Sequence, residues 1–402
     1  MKPRMRDSDA NKGTQSGPNP GLPDGWRRMR LGDALRLRKD VVHPRDNPTG
    51  RDVFVGLEHI ESHTGRRIGS VEVDKARLTG RKPQFRKGDI VYGYLRPYLN
   101  KVWIAEFDGL CSVDQYVFEV NAALADVEFI AWFMRSPTYL RRAPIDTTPG
   151  QLPRIRTEEV AGVEIELPPL AEQRRIAAWL REQLAEVACA RAAVQSQLGA
   201  AQALPAALRR DVFGCQSVQE CQSKPFAELV NSFDGQRVPL KQSDRDKREG
   251  PFAYYGASGI IDYVDDFLFD GEYLLIAEDG ANLLSRSSSI AFRASGKFWV
   301  NNHAHVVQPR NDVLIGWLEQ YLESIDLERF VTGSAQPKLS QANLNMIPIP
   351  VPSLEVQNAL VGGLIDELET AAQFTQSLCQ KLDSIGSLPA ALLAQAFRTP
   401  HQ

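Results

Sequence analysis

Two histidines in the string VNNHAHVV come closest, in residue type and spacing, to a catalytic or metal site. His303 and His305 alternate on one face of a predicted strand, where imidazoles can bind a metal or activate water. No third histidine and no HExxH spacing accompanies them, and the carboxylates of AEDG at 277–280 lack the following lysine that a nuclease would need. We interpret the histidines as polar residues of a binding surface or hydrogen-bonded turn, and AEDG as a turn that closes a hairpin.

Other catalytic motifs are also missing from the sequence. An adenine methyltransferase would need an Asn/Asp-Pro-Pro-aromatic loop and a Gly-rich cofactor turn, but the chain has only NPTG at 47–50. SGKF at 295–298 lacks the spacing and the final Ser/Thr of a phosphate-binding loop. We predict no catalytic residue and no metal site, and keep as a first alternative a stand-alone nuclease or other DNA-modifying enzyme with an unfamiliar site near His303, His305 and Glu278.

Basic residues point more clearly to a ligand. Over 26–150 there are 21 Lys/Arg against 16 Asp/Glu, whereas over 224–335 the balance is 11 against 17. Bunched cations beside aromatic and amide groups are typical of a surface that holds phosphates and reaches bases. In the first segment the candidate DNA-binding residues are Arg66, Arg67, Lys75, Arg77, Arg81, Lys82, Arg86, Lys87, Tyr94 and Arg96. In the second they are Lys241, Arg245, Lys247, Arg248, Arg286, Asn301, Asn302, His303 and Lys338. A protein-binding scaffold is the second alternative.

The sequence repeats itself at an offset of 184 residues. ELPPLAEQRRIAAWL at 166–180 corresponds to PVPSLEVQNALVGGL at 350–364, and LPAAL occurs at both 204–208 and 388–392. Short strand-like runs such as GDIVYGYL and GEYLLIAE precede these junctions at nearly the same offset. The chain therefore uses one unit twice.

Each copy of the repeat predicts a long helix after a proline break. In the first copy the apolar positions step by three, four or seven from Ile176 to Ala201, and the second copy keeps the same register from Leu360 to Ile385. A helix over 170–203 would be about 50 Å long. Its narrow apolar stripe favours two long helices packed along a seam. Pro205 and Pro389 should kink each helix or start a new short one.

These patterns predict an α+β fold with a pseudo-two-fold internal repeat. Two globular mixed α/β domains alternate with two long helices that pack as an antiparallel, coiled-coil-like spacer. The predicted boundaries are a disordered tail at 1–21, a first domain at 22–168, a first helical region at 169–214, a second domain at 215–352 and a second helical region at 353–402. No apolar run is long enough to span a membrane and no secretory leader is present, so we expect a cytoplasmic protein.

The doubled layout resembles the specificity (S) subunit of type I restriction-modification systems, a phage-defence family. LPPLAEQRRIAAWL, VPSLEVQNALVGGL, the two LPAAL strings and GWRRMRLGDAL near the start carry the resemblance, together with YYGASGIIDYVDDFLFDGEYLLIAEDG and FWVNNHAHVV. The second junction departs from the pattern at Ser353 and Val356, where the first has Pro169 and Glu172. This departure puts in question whether the second partner contact is equally strong.

The resemblance implies a non-catalytic reader of double-stranded DNA. Each globular domain would be a target recognition domain that binds one half of a split site, with half-sites about one helical turn or more apart. Methyltransferase subunits, two of them expected, would dock on the helices, and restriction/translocase subunits would join them. S-adenosylmethionine, ATP and Mg would then be bound by those partners and no cofactor by this chain. The expected partner-binding helix residues are Leu170, Gln173, Ile176, Leu180, Leu354, Gln357, Leu360 and Leu364.

Overall fold

The computed structural model describes residues 22–145, 152–333 and 336–398. The predicted tail at 1–21 lies outside these ranges. The chain divides into two compact units: unit 1 comprises the described residues up to Ala193 and from Leu382 onward, and unit 2 comprises Val194–Lys381. No helix in the described ranges is both long and apolar enough to cross a membrane.

Unit 1 is a mixed α/β body built on three sheets. Its strand orders are β1-β11, β2-β10-β7-β8 and β3-β6-β9-β4-β5, with β4 and β9 parallel. The strands are β1 (Arg27–Arg30), β2 (Leu35–Leu37), β3 (Val41–Val42), β4 (Arg51–Val55), β5 (Val71–Asp74), β6 (Lys82–Phe85), β7 (Ile90–Gly93), β8 (Val102–Ile104), β9 (Gly109–Cys111), β10 (Gln115–Val120) and β11 (Glu164–Leu167). The helices are α1 (Leu31–Ala34), α2 (Val127–Arg135), α3 (Pro137–Arg142), α4 (Thr157–Gly162) and the start of α5 (Leu170–Gly214).

Unit 2 is built on two sheets, β12-β19 and β13-β18-β16-β17-β14-β15, with β14 and β17 parallel. The strands are β12 (Ser223–Pro225), β13 (Val230–Ser232), β14 (Phe252–Gly256), β15 (Gly259–Val264), β16 (Phe269–Ala277), β17 (Ala291–Val300), β18 (Ala304–Pro309) and β19 (Pro348–Pro350). The helices are α6 (Gln216–Gln219), α7 (Phe226–Leu229), α8 (Gln242–Arg245), α9 (Asn282–Ser285), α10 (Ile315–Ser324), α11 (Gln341–Asn345) and the start of α12 (Leu354–Ala396).

The two long helices confirm the repeat. The helix α5 has 45 residues and α12 has 43, and they begin at equivalent positions, Leu170 and Leu354. Along each helix the predicted stripe is buried or half-buried, while most of the other residues are exposed. Each unit contains the first part of one long helix and the last part of the other.

The helix α5 runs unbroken through Pro205, so a new short helix does not begin there. An interior proline removes one backbone hydrogen bond and costs about 3 kcal/mol. Packing beyond it offsets this cost: the ring of Phe213 lies 4.9 Å from that of Trp317 and 5.3 Å from that of Tyr321. Pro389 likewise lies inside α12.

The cores of both units include residues that are distant in sequence. In unit 1, Leu393 and Phe397 from the end of α12 join Phe129 and Phe133 of α2. In unit 2, Phe213 from the end of α5 joins Trp317 of α10. Neither globular body is therefore built from one continuous stretch of chain.

The strands around the two histidines differ from the prediction. The run from Ala291 to Val300 is one strand, and the chain turns at 301–303 before β18 begins at Ala304. The prediction that His303 and His305 share one face of a strand is therefore wrong, because His303 lies in the turn. The backbone of His303 donates to the Oδ1 of Asn301 at 2.8 Å, and this bond closes the turn.

Candidate nucleic-acid interface

The turn at 301–303 lies at one end of the six-stranded sheet of unit 2. The backbone of Glu278, just past β16, donates to the carbonyl of His303 at 2.9 Å. The Nδ1 of His303 lies 2.8 Å from the Oδ2 of Asp279. The turn and the end of β16 therefore form one surface, and Asn302 is exposed on it.

A returning segment around Lys338 crosses the same end of the sheet. The backbone of Gly280 donates to Pro337 at 3.0 Å, and that of Leu339 donates to Glu278 at 2.8 Å. The Nζ of Lys338 lies 3.1 Å from the Oε1 of Glu278. Three of the predicted site residues, Asn302, His303 and Lys338, are thus brought together.

His305 is buried, with only 1% of its surface exposed, and it links parts of unit 2 by hydrogen bonds. Its Nδ1 lies 2.6 Å from the Oδ2 of Asp234, and its Nε2 lies 2.9 Å from the carbonyl oxygen of Leu339. Because a carbonyl can only accept, Nε2 donates and ties the returning segment to β18. Both ring nitrogens are occupied, so this imidazole offers no free atom to a substrate or a metal.

Two half-buried carboxylates around His305 have pKa values below their ordinary ones. Burial opposes ionisation of Glu278, but hydrogen bonds from Arg237 and Lys338 and the charge of His305 outweigh it and lower the pKa of Glu278. Burial also works against ionisation of Asp234, but the hydrogen bond and charge of His305, the hydrogen bond from the backbone of Val306 and the charge of Arg237 together outweigh it and lower the pKa of Asp234. The Nη1 of Arg237 lies 2.7 Å from both Glu278 Oε2 and the carbonyl of Ala304. This network braces the end of the sheet.

Unit 1 has the same backbone pattern at the end of β7. The backbone of Tyr94 donates to Asp114 at 3.2 Å, and that of Ile155 donates to Tyr94 at 3.2 Å. The hydroxyl of Tyr116 lies 3.3 Å from the carbonyl of Ile155. Tyr116 thus bonds to the returning segment of unit 1 as His305 does to that of unit 2. Leu95 forms a backbone bridge with Arg154, as Asp279 does with Lys338. Arg154 is thus the counterpart of Lys338, a candidate that we missed although the repeat aligns the two.

Aromatic and basic groups surround this position in unit 1. The ring of Tyr94 stacks on that of Tyr116 at 4.3 Å. Burial and the charge of Asp114 raise the pKa of Tyr94, while the charges of Arg154 and Arg81 act in the opposite direction. Arg81 and Arg154 thus both act electrostatically on Tyr94.

The other basic candidates of unit 1 divide by whether a carboxylate neutralises them. Ion pairs hold Arg66 to Glu61, Arg67 to Glu106, Lys75 to Asp52, Arg77 to Asp74 and Arg86 to Asp40. Within the described ranges Arg81, Lys87 and Arg96 form no ion pair and are exposed. Lys82 lies over the ring of Phe54, and it lines a groove of about 480 Å³ with Arg77 and with Arg51, which the sequence did not single out.

In unit 2 several basic candidates serve the fold itself. Arg245 pairs with Asp262 at 2.8 Å over the ring of Tyr254, and Arg248 pairs with Asp265 at 2.8 Å over that of Trp299. The guanidinium of Arg286 donates to the carbonyls of Leu322 and Ile325, and burial lowers its pKa. The side chain of Asn301 is buried and closes the turn. By contrast, Lys241 and Lys247 are exposed and form no ion pair in the described part of the chain.

The helix junctions contain two fully buried glutamines. The Oε1 of Gln173 accepts from the backbone of Asp126 at 2.8 Å, and its Nε2 donates to Leu124 and Pro168. The Oε1 of Gln357 accepts from Leu314 at 2.9 Å, and its Nε2 donates to Asp312 and Pro352. Each amide thus ties the start of a long helix to the N-terminus of a short one.

The predicted partner-binding residues differ in how far they are buried. Gln173, Leu180, Gln357 and Leu364 are buried in their own units. Leu170, Ile176 and Leu360 are half-buried, and Leu354 is 43% exposed. The departure at Ser353 has a local explanation, because its Oγ accepts from the backbone of Val356 at 3.4 Å and caps α12.

Two solved structures share this architecture. A chain from a study of complex assembly and conformational transition of the type I R-M system superposes with a TM-score of 0.79 at 22% identity, covering 94% of this chain and 98% of that one. The HsdS subunit from Thermoanaerobacter tengcongensis gives a TM-score of 0.65 at 22% identity, covering 94% and 97%. At this level of identity the likeness establishes the fold.

Sequence comparison finds similarity over part of the chain. Residues 219–375 match the family described as type I restriction modification DNA specificity domain. S.HindORF215P of Haemophilus influenzae, which carries the name of a type I restriction enzyme specificity subunit, is 42% identical over 142 residues, covering 35% of this chain and 36% of that protein. The EcoDI specificity subunit of Escherichia coli is 32% identical over 157 residues, covering 39% and 34%. The matches thus span about a third of each relative's length. The chain is therefore similar in sequence to type I restriction enzyme specificity subunits over about a third of its length, and it shares the fold of a solved HsdS subunit.

Proposed function

We propose that this chain is the DNA sequence-recognition subunit of a type I restriction-modification complex. Each unit binds one half of a bipartite double-stranded target through the sheet end that carries Arg154 in unit 1 and Lys338 in unit 2. The observation that carries this proposal is the matched backbone frame of the two sheet ends, which holds different side chains. A protein that reads two unlike half-sites can use the same backbone arrangement twice, with different side chains that contact the bases.

Partner subunits supply the chemistry in this proposal. Methyltransferase subunits, two of them, dock on exposed parts of the long helices, and restriction/translocase subunits join that complex. S-adenosylmethionine, ATP and Mg are bound by those partners, and the complex works in the cytoplasm. The occupied ring of His305 supports a non-catalytic role, because the strongest enzyme-like residue of the sequence is used inside the fold.

The test uses the chain assembled with its methyltransferase subunits. Adenines methylated by this complex are mapped on random DNA, and we expect a motif of two specified parts separated by unspecified base pairs. A continuous motif would contradict the two-reader proposal. In parallel, the affinity for DNA is measured at several salt concentrations, and we expect the logarithm of affinity to fall linearly with the logarithm of salt. An assembled complex that does not bind DNA would instead support the protein-binding scaffold.

A further inference from the structure

The turns at 112–114 and 301–303 are the same structural element in the two units. Each follows the strand that runs parallel to its neighbour, β9 beside β4 and β17 beside β14. In the first turn the backbone of Asp114 donates to the Oγ of Ser112 at 3.2 Å. In the second the backbone of His303 donates to the Oδ1 of Asn301 at 2.8 Å. The side chain that closes the turn is two residues before the donor in both.

The middle residue of each turn is exposed. Val113 is 42% exposed and Asn302 is exposed as well. Within the described ranges the amide of Asn302 has no hydrogen-bond partner. A β-branched apolar residue gains nothing from a turn, where Gly, Asn or Asp is usual. These two side chains are therefore free to meet a ligand.

The middle residue of each turn, Val113 or Asn302, is called its tip. Each tip lies near the returning segment that carries Arg154 or Lys338. The residue after each tip, Asp114 or His303, accepts from the residue just past a central strand, Tyr94 or Glu278. The returning segments that carry Arg154 and Lys338 bridge the very next positions, Leu95 and Asp279. In protein–DNA complexes, basic side chains that contact phosphates fix the position of the protein, and other exposed side chains read the bases.

We propose that Val113 and Asn302 are specificity-determining residues that contact base edges in the major groove, one in each half-site. This inference rests on the proposed DNA-recognition function. The carboxamide of Asn302 has the donor and acceptor that match N7 and N6 of adenine. The methyl groups of Val113 match the C5-methyl of thymine. The two tips read different chemistry, and both read an A·T pair.

The test of Asn302 uses the chain in complex with its methyltransferase subunits and a DNA library randomised in both half-sites. Wild-type complex selects adenine at one position, and Asn302→Ala reduces that selection by roughly 5- to 150-fold while the other half-site is unaffected. Asn302→Asp removes the amide donor and shifts preference towards cytosine, whose amino group donates to a carboxylate. Unchanged selection at every position in both variants would overturn the proposal for Asn302.

The test of Val113 uses thymine with and without its methyl group. Deoxyuridine at the contacted position weakens binding by wild-type complex, whereas Val113→Ala binds both targets equally. If wild type ignores the replacement at every thymine of its target, the proposal for Val113 is wrong. Both tests are separable from the proposed function, because a complex with no sequence preference at all would refute DNA reading itself. A variant that fails to unfold cooperatively is replaced by Asn302→Ser or Val113→Ser, and the same outcomes decide.

Discussion

The ring of Phe397 lies 5.5 Å from the ring of Phe133 in an edge-to-face arrangement. Phe133 belongs to α2, near the middle of unit 1, whereas Phe397 comes just after α12 has ended. In unit 2 the ring of Phe213, at the end of α5, packs in the same way against Trp317. Each globular body thus depends on an aromatic residue delivered by the far end of a long helix.

We expect Phe397→Ala to lower the free energy of unfolding of unit 1 by roughly 3–5 kcal/mol, because it empties a buried aromatic site. Phe374→Ala is the matched control, since Phe374 lies on the same helix and is 50% exposed. That control should change stability by less than about 0.5 kcal/mol. Denaturant unfolding followed by tryptophan fluorescence measures both, and equal effects would disprove the packing role.

Replacing Gln357 by alanine should destabilise unit 2. The substitution leaves the backbone N–H of Leu314 and the carbonyls of Asp312 and Pro352 without a partner, at roughly 1–3 kcal/mol for each group that stays buried. Hydrogen exchange at the amide of Leu314 should become faster. The exposed Gln376 of the same helix is the control, and an unchanged exchange rate at Leu314 would count against the contact.

The stability of unit 2 should fall on acidification. Asp234 and Glu278 have pKa values lowered in the folded state from the ordinary 3.8 and 4.5, so folding favours their ionised forms. Their contribution is fully present above pH 4.5 and is lost as the pH falls below these ordinary values through the folded ones. Asp234→Asn should flatten the pH dependence of the unfolding midpoint below pH 4.5, while exposed Asp244→Asn should leave it unchanged.

Unpaired cations should contribute more to DNA binding than paired ones. Arg81 and Lys87 form no ion pair in the described ranges, whereas Arg66 is held by Glu61 at 3.1 Å. We expect Arg81→Ala or Lys87→Ala to reduce the slope of log affinity against log salt by about one. Arg66→Ala should reduce it less. Titrations of the assembled complex at four salt concentrations measure the slopes, and a larger effect of Arg66 would reverse the assignment.

Substitution of the two histidines should affect stability differently. His305→Ala removes the bond from β18 to Leu339 and should destabilise unit 2 by about 1–3 kcal/mol. His303→Ala should leave stability nearly unchanged, because the side chain of His303 is 48% exposed. Purified chain without partners should neither cleave nor methylate DNA. Activity of the chain alone that disappears with His303→Ala would instead establish the enzyme alternative.

Periodicity and repetition were sufficient to predict the large elements. The stripe from Ile176 to Ala201 recurs from Leu360 to Ile385, and a helix face that is apolar in register must be buried against something. The starts at Leu170 and Leu354 followed from the proline breaks. These features are local in sequence, so sequence alone carries them.

The roles of single polar residues depended on partners that are distant in sequence. Gln173 and Gln357 look like surface residues of a charged helix, and only the folded chain brings the ends of α2 and α10 within reach. Arg245 and Arg248 resemble a DNA-binding cluster, but Asp262 and Asp265 neutralise them once β15 is in place. Charge counts along a sequence cannot separate a paired cation from a free one.

The interleaving of the helix ends has a consequence for how the protein is made. A ribosome synthesises all of Val194–Lys381, and so the whole of unit 2, before the segment from Leu382 onward emerges. The first residues of unit 1 are synthesised before unit 2, but the core of unit 1 is complete only after Leu393 and Phe397 have been synthesised. An interrupted translation product would therefore contain at most one complete globular body, and the nascent first body must stay soluble while the second folds.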